Sequence, residues 1–367
     1  MQCECVRDRF IEAVAKVERV AGKNPTLPIL SCLLLEVKKG ELIIKATNLD
    51  LAVVVSIPSK TTSTGIVAVS ANTLSSFLGT ARLDKGVSVL LDGDVLVIRS
   101  GNDKVILKTM PHTDFPSIPE ASENEQNFSV ESKVWAVGAR SVFWSASVSG
   151  LKPELSSVFV YSDSGNLVFA ATDSFRLAEK KFSTKEVPES FRVLIPSKNA
   201  AEISRIAEGT EGEIKVSFGK GRAGFFLGDT FVTTRLVEGT FPDYRQILPK
   251  ETETEAVLLK EDFARALRVS GIFTDKFSQI GFTVDPKKKL FKVTAKNSDV
   301  GENTTLLPST LTGESLEINF NQRYIADCLS SISSDSVSLS FAGSSKPLVL
   351  KGVSDKSFTY LVMPMNR

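Results

Sequence analysis

The chain has 367 residues, 42% hydrophobic and 24% charged, the make-up of a globular protein that folds in water. Its 44 basic and 43 acidic residues leave a net charge of +1, so bulk charge points to neither a nucleic acid nor a membrane surface; only an uneven distribution could do so. One histidine, His112, excludes His-built metal motifs, and Cys3 and Cys5 lack a second pair to complete four ligands; Cys32 and Cys328 stand alone.

No metal and no cofactor is therefore expected, and the cysteines read as reduced thiols. The opening MQCECVRDRF lacks the apolar core of a signal peptide, and the aliphatic run at Leu51-Ala-Val-Val-Val is too short to span a bilayer. The expected location is the cytoplasm.

In chain order, Arg9–Gly22 sets Phe10, Ile11, Val14, Val17 and Val20 at helical spacing, with Gly22 as a stop. LPILSCLLLEV follows as a strand, and ELIIKAT, VSVLLDGDVLVIRSG and KVILKTM read as more strands, with hairpin turns at Asp92-Gly-Asp and Ser100-Gly-Asn-Asp. VSANTLSSFLG, from Val69, reads as a second helix. The stretch closes on Asp114-Phe-Pro-Ser-Ile-Pro, and the polar Ser122-Glu-Asn-Glu-Gln-Asn reads as a linker.

The same succession recurs twice more, at a spacing of about 125 residues. Trp135 and Phe263 open SKVWAVGARSVFWSAS and KEDFARALRVSGIFTD. The strands KPELSSVFVYS and FSQIGFTVDP follow. Ala46-Thr-Asn-Leu-Asp-Leu-Ala is echoed by Ala171-Thr-Asp-Ser-Phe-Arg-Leu-Ala and more faintly by Ala295-Lys-Asn-Ser-Asp-Val. IPSKNAAEISRIA and INFNQRYIADCLSSI supply the second helices; Phe241-Pro-Asp-Tyr and Val362-Met-Pro-Met close the units. The expected domains are 1–125, 126–251 and 252–367. Each has two helices and about eight strands joined by short turns, which argues for antiparallel sheets in an α+β fold present in three tandem copies.

Catalytic chemistry is missing from the motifs. Neither GxSxG nor GxxxxGK[ST] occurs. Gly219-Lys-Gly-Arg-Ala-Gly lies between two strand patterns and reads as a hairpin turn. His112, beside Pro111 in the closing strand, reads as structural, and the carboxylates are scattered. No catalytic residue is expected. Two other classes compete: a β-rich adhesion oligomer, which needs a secretion signal, and an enzyme with its site between units, which needs a titratable cluster. The sequence offers neither.

The threefold repeat resembles the bacterial DNA polymerase III beta subunit, the sliding clamp, over the whole chain. Thr26-Leu-Pro-Ile-Leu, Ala171-Thr-Asp-Ser-Phe-Arg-Leu-Ala, Glu238-Gly-Thr-Phe-Pro-Asp-Tyr, Phe320-Asn-Gln-Arg-Tyr and Tyr360-Leu-Val-Met-Pro-Met carry the resemblance. It implies a head-to-tail homodimer ring of six similar domains, with helices lining a hole that duplex DNA threads and no covalent chemistry. It further implies short-motif partners: the polymerase alpha subunit, the clamp loader, other DNA polymerases and repair proteins, with no membrane contact.

The helix windows carry a small net positive charge and the rest of the chain a net negative one, the sign a helix-lined DNA channel needs. Sequence-blind sliding calls for flexible cations on phosphates. The candidates are Lys23, Arg82, Lys198, Arg205 and Arg268; Asn24 stands where many family members are basic. For the partner-peptide pocket the resemblance implies Leu155, Thr172, Phe175, Arg176, Leu177, Pro242, Ile247, Asn321, Tyr324, Pro347, Leu361, Val362, Met363, Pro364 and Met365. Arg176 and Asn321 would give polar orientation, and soft methionines suit a groove that accepts several partners. Ser174, Phe175 and Gln246 depart from the common glycine, histidine and arginine, and Asn366 precedes the terminal arginine. The ring-closing surface would use Ile272 and Phe273 against the strand Lys104–Met110, including Lys104 and Leu107. Arg99, Lys104 and Lys108 would face Asp299 and Glu302.

Overall fold

A computed structural model describes residues 1–22, 26–81, 84–119, 126–184, 186–219, 221–249 and 251–365. Lys23, Asn24 and Arg82, three of the expected DNA contacts, and Asn366 lie outside the described residues.

The first third runs β1 (Gln2–Val6), α1 (Arg7–Glu18), β2 (Cys32–Lys38), β3 (Glu41–Thr47), β4 (Leu51–Ser63), β5 (Gly65–Ser70), α2 (Ala71–Thr80), β6 (Gly86–Asp92), β7 (Val95–Ser100) and β8 (Asp103–Met110). A strand, a helix and three strands therefore occur twice over. The middle third repeats the order as β9 (Gln126–Glu131), α3 (Ser132–Val142), β10 (Ser157–Asp163), β11 (Asn166–Thr172), β12 (Arg176–Ser183), β13 (Arg192–Pro196), α4 (Ser197–Glu208), β14 (Glu213–Gly219), β15 (Arg222–Leu227) and β16 (Thr230–Arg235). The last third holds β17 (Thr254–Leu259), α5 (Lys260–Ile272), β18 (Gln279–Asp285), β19 (Leu290–Asn297), β20 (Gly301–Leu307), β21 (Ser309–Gly313), β22 (Leu316–Asn321), α6 (Gln322–Cys328), β23 (Ser336–Phe341), β24 (Leu348–Gly352) and β25 (Phe358–Val362). Here Pro308, with no N–H to give a ladder, splits the fourth strand into β20 and β21.

The landmark aromatics of the repeat are core anchors. Phe10, Trp135 and Phe263 are all buried. In α1, Phe10, Ala13, Val14 and Val17 form one apolar stripe, which packs on β3 and β4. Trp135 meets Phe225 edge-on at 4.7 Å, and Phe263 packs with Phe282 and Phe291 at 5.9 and 6.3 Å. Truncating any of the three to Ala would cost about 3–5 kcal/mol. Ser70 caps α2 by accepting from the Thr73 N–H, and Asn321 caps α6 by accepting from the Arg323 and Tyr324 N–H groups.

The turns follow the sequence reading. Gly93 (φ 57°) turns β6 into β7, with Asp92 opposite Val95; Gly101 (φ 56°) turns β7 into β8. β14 and β15 likewise pair antiparallel, with Gly219 opposite Arg222, while Lys220 between them lies outside the described residues. His112 departs from the expectation of a closing strand: it lies exposed in a 3-10 turn, His112–Asp114. Cys3 and Cys5 are buried on one face of β1, and burial pushes their thiols up to about 11 and about 12, so both stay protonated.

The chain forms two compact units, Met1–Ala136 with Arg205–Leu236, and Val137–Ser204 with Val237–Arg367. The first holds a twelve-stranded sheet in the order β1-β6-β7-β8-β5-β2-β3-β4-β16-β15-β14-β9, and β1 also pairs with β4, so the first eight strands close on themselves. The second holds a nine-stranded sheet, β13-β10-β11-β12-β25-β24-β23-β17-β21, and a four-stranded sheet, β20-β19-β18-β22. A bridge between Asn319 and Met365 links the two.

Each unit contains one junction between successive copies of the repeat, built the same way. In the first, β4 pairs antiparallel with β16, from Leu51 opposite Thr234 to Val55 opposite Thr230. In the second, β12 pairs with β25, from Arg176 opposite Val362 to Lys180 opposite Phe358. In both, the fourth strand of one copy binds the last strand of the next. Continuous sheet across these junctions is why the compact units divide the middle third.

Candidate functional site

The second junction carries most of the expected pocket residues. A tight turn precedes β12. The Asp173 carboxylate accepts from the Phe175 and Arg176 N–H groups at 2.9 and 3.0 Å, and the Thr172 hydroxyl donates to the Arg176 carbonyl at 2.6 Å. Ser174 holds φ 80°, a left-handed conformation that favours glycine. This turn aims Phe175 outward, 62% exposed. The Met363 N–H donates to the Phe175 carbonyl at 2.8 Å, tying the chain's tail to the turn.

Leu177 lies opposite Leu361, and both join a core with Ala170, Leu194, Phe241 and Tyr244. Over this floor, Thr172, Phe175, Arg176, Leu177, Ile247, Pro347, Leu361 and Met363 line one shallow groove, with Ser174 at its edge. The space between them is small, about 10 Å³, and Phe175, Ile247 and Met363 are its exposed members.

The remaining expected residues do not line the groove. Leu155 and Val362 are buried, Pro242 is exposed, and Tyr324, Pro364 and Met365 are half-buried. Tyr324 stands beneath Arg176: the guanidinium lies 4.4 Å from its ring and 5.5 Å from that of Trp144.

The polar handles are already engaged. Arg176 donates from Nε to Asp173 (2.9 Å), from one Nη to Asp327 (2.6 Å) and from the other to the Trp144 carbonyl (2.8 Å). Burial works against its charge, but Tyr360, Asp327 and Asp173 outweigh it and raise its pKa. Asn321 caps α6 with its oxygen and gives its amide to the Phe277 carbonyl at 3.1 Å. Both side chains brace the groove's surroundings.

Trp144 and Asp327 were invisible as site residues, because Arg176 meets them across 32 and 151 positions of sequence; Asp173 lay within the Ala171-Thr-Asp-Ser-Phe-Arg-Leu-Ala motif but without a stated role. A second brace lies under the floor. The Tyr244 hydroxyl donates to Glu179 at 2.5 Å and meets that of Tyr161 at 2.7 Å, while Arg245 reaches Tyr161 and Asp163 at 3.1 and 2.6 Å. Burial, and then the Glu179 charge, push the Tyr244 phenol far above its ordinary range, so it stays a donor.

Among the expected DNA contacts, Lys198 is exposed on the first turn of α4. Arg205 is half-buried and donates to the Lys16 carbonyl at 2.9 Å. Arg268 is exposed and lines a cavity of about 720 Å³ with Asp262, Ala326 and Asp335.

The expected dimer residues lie on two open strand edges. Among the described residues, 103–108 of β8 pair with β7 alone, and Thr109 and Met110 reach β5. Along this edge Lys104, Ile106 and Lys108 are exposed, whereas Leu107 is turned into its own unit, 6% exposed. β20 pairs with β19 on one side and is the outer strand of its sheet. Ile272, 65% exposed, and half-buried Phe273 end α5 there, and the Phe273 ring approaches Gly301.

Comparison with known proteins agrees with the threefold organisation. Models of the DNA polymerase III beta subunit match in series: the N-terminal domain over residues 1–119, the central domain over 130–243 and the C-terminal domain over 245–366. The chain is 29% identical to the beta sliding clamps of Salmonella typhimurium, over 367 residues, and Escherichia coli K12, over 370 residues, covering 98% of each chain in both cases. A crystal structure of the beta subunit from Thermotoga maritima superposes with a TM-score of 0.93 at 24% identity, covering 100% of this chain and 99% of that one. With all three domain models of one family matched in order along its length, the chain belongs to the DNA polymerase III beta subunit family, the non-catalytic sliding clamps.

Proposed function

We propose that two copies of this chain close head to tail around duplex DNA, giving a ring of six domains, 1–125, 126–251 and 252–367 of each. The observation that carries this is the arithmetic of the junctions. Fourth strand to last strand is joined at β4–β16 and again at β12–β25. Among the described residues, one fourth strand, β20, and one last strand, β8, are left with open edges. A third junction of the same kind, made twice between two chains, satisfies both and removes exposed strand edges. Exposed Ile106, Ile272 and Leu306 would be covered by it. Lys104 and Lys108 on one edge and Asp299 and Glu302 beside the other have complementary charge. Leu107, buried already, would support that strand from behind.

Lys198, Arg205 and Arg268, with Lys23, Asn24 and Arg82, are proposed to face phosphates without reading bases. Such contacts let a ring slide, and they weaken with salt. The ring would tether the replicative polymerase in the cytoplasm. Solution mass tests the closure: about twice 39.8 kDa is expected, and a monomer would sink it. Retention on nicked circular DNA after loading, with release on linearisation, tests the encirclement.

The groove at the second junction is proposed to take short peptides from the polymerase alpha subunit, the clamp loader, other polymerases and repair proteins. Met363 and Phe175, both exposed, would move aside for leucine or phenylalanine anchors over the Leu177–Leu361 floor. Since Arg176 and Asn321 are engaged elsewhere, recognition here rests mainly on apolar contact. Phe175→His should then weaken a Leu/Phe-rich peptide by roughly 3–10-fold, from lost apolar area. An unchanged affinity by fluorescence anisotropy would reject this role. Met363→Asp, at an exposed site, should weaken the same peptide by roughly 100-fold or more while the melting temperature holds.

A further inference from the structure

The two junctions share a design but not a filling. The Ala46-Thr47 and Ala171-Thr172 motifs align them, with Thr47 opposite Ala52 as Thr172 is opposite Leu177. At the second junction one cross-strand row reads Phe159, Ala170, Glu179, Thr359. The strap Phe241-Pro-Asp-Tyr244 covers this row: Phe241 stacks on Phe159 at 5.0 Å, and the Tyr244 hydroxyl reaches Glu179. The matching row at the first junction reads Leu34, Lys45, Val54, Phe231 and continues to Phe226. Its strap is Phe115-Pro-Ser-Ile118. Phe115 packs against the Leu34 cluster, as Phe241 does against its own. Ile118, however, stands where Tyr244 stands, with neither the ring nor the hydroxyl to fill the space.

A cavity of about 550 Å³ results, within the range of binding pockets. Val54, Phe226, Phe231, Phe115 and Ile118 give it apolar walls, and Phe226 is 38% exposed. Among the described residues, the ionisable side chains in its lining are Lys38, Lys45 and His112. Glu36, which is not part of the lining, engages Lys45 at 2.7 Å and Lys38 at 3.5 Å, one carboxylate for two ammonium groups.

We propose that the first junction is a second peptide-docking site, which takes an acidic linear segment of a partner protein with one aromatic anchor. The anchor fills the volume that Tyr244 occupies at the other junction, and a flanking carboxylate meets Lys45 and Lys38. The idea rests on the reading of these junctions as docking grooves, but it concerns a different groove and a different peptide chemistry.

The test uses the full-length protein and a fluorescein-labelled, N-acetylated peptide, Asp-Glu-Phe-Leu-Asp, followed by anisotropy at low salt. Binding should weaken at least tenfold in Ile118→Tyr, which restores the missing filler. It should weaken roughly 3–10-fold in Lys45→Gln, with a shallower salt dependence. It should be unchanged in Met363→Asp. No measurable binding, indifference to both Ile118→Tyr and Lys45→Gln, or loss in Met363→Asp would each overturn the proposal. A Leu/Phe-rich peptide that ignores Met363→Asp would instead count against the second-junction groove alone, so the two failures are distinct.

Discussion

Ile106→Asp, and separately the double change Ile272→Ala with Phe273→Ala, should each convert the dimer into a monomer of about 39.8 kDa in sedimentation equilibrium. Ile106 is 56% exposed on an edge strand and Ile272 is 65% exposed at the end of α5, so neither supports its own unit. Placing a carboxylate on the β8 edge puts an unpaired charge into a sheet-to-sheet contact. On the proposed closure, removing two apolar anchors would take away part of the same contact. Losses of about 2–4 kcal/mol for such anchors weaken association by roughly 30- to 1,000-fold. Thermal stability should barely move in Ile106→Asp, whereas the double variant should also lose some, because half-buried Phe273 packs near Gly301 of its own unit. Leu107→Asp is the contrasting variant: at 6% exposure it should unfold the first unit rather than merely separate chains. A persistent dimer in both edge variants would reject β8 and α5 as the closing surfaces.

Lys180→Met should be the most damaging of the ion-pair variants, at about 3–5 kcal/mol. Lys180 is buried in β12, and its ammonium lies 3.0 Å from Asp355, just before β25. Without it, Asp355 keeps Ser333 at 3.1 Å and the Ser357 N–H at 2.9 Å but loses its countercharge. The pair clamps the same two strands that carry Leu177 and Leu361, so peptide binding should fall with stability. Lys180→Met combined with Asp355→Asn should recover part of the loss.

The pair also sets an acid limit. Burial opposes the Asp355 charge, but the Ser357 and Lys180 hydrogen bonds outweigh it and hold the carboxyl at about 2. The unfolded chain protonates an aspartate near ~3.9. The contribution of Asp355 is therefore full above about pH 4 and drains between about pH 4 and pH 2, by up to roughly 2–3 kcal/mol. A denaturant titration series across that window should show a slope that flattens in Asp355→Asn. An unchanged slope would remove Asp355 from the account.

Much of the fold was legible because it depends on local patterns. Helical spacing around Phe10 and Phe263, two-residue turns at Gly93 and Gly101, and a succession stated three times over all act within a few residues. The tail does not alternate: Phe358, Tyr360, Leu361 and Val362 are all buried, while Met363 is left at the surface. The groove was partly legible, since Phe175, Leu177, Ile247, Leu361 and Met363 do converge. What it could not show was how the charged side chains are spent.

Sequence alone determined the threefold repeat, the α+β class and the absence of catalytic motifs, because propensity, periodicity and turn chemistry are properties of short stretches. Tertiary structure alone decided three things. It put Leu107 inward and Ile106 outward, because strand register sets which face each residue takes. It tied Arg176 to Asp327, and Asn321 to the start of α6, because side chains distant in sequence compete for the same donors and acceptors. And it left the first junction hollow where the second is filled, because a tyrosine in one strap meets a buried glutamate and an isoleucine in the other meets nothing of the kind.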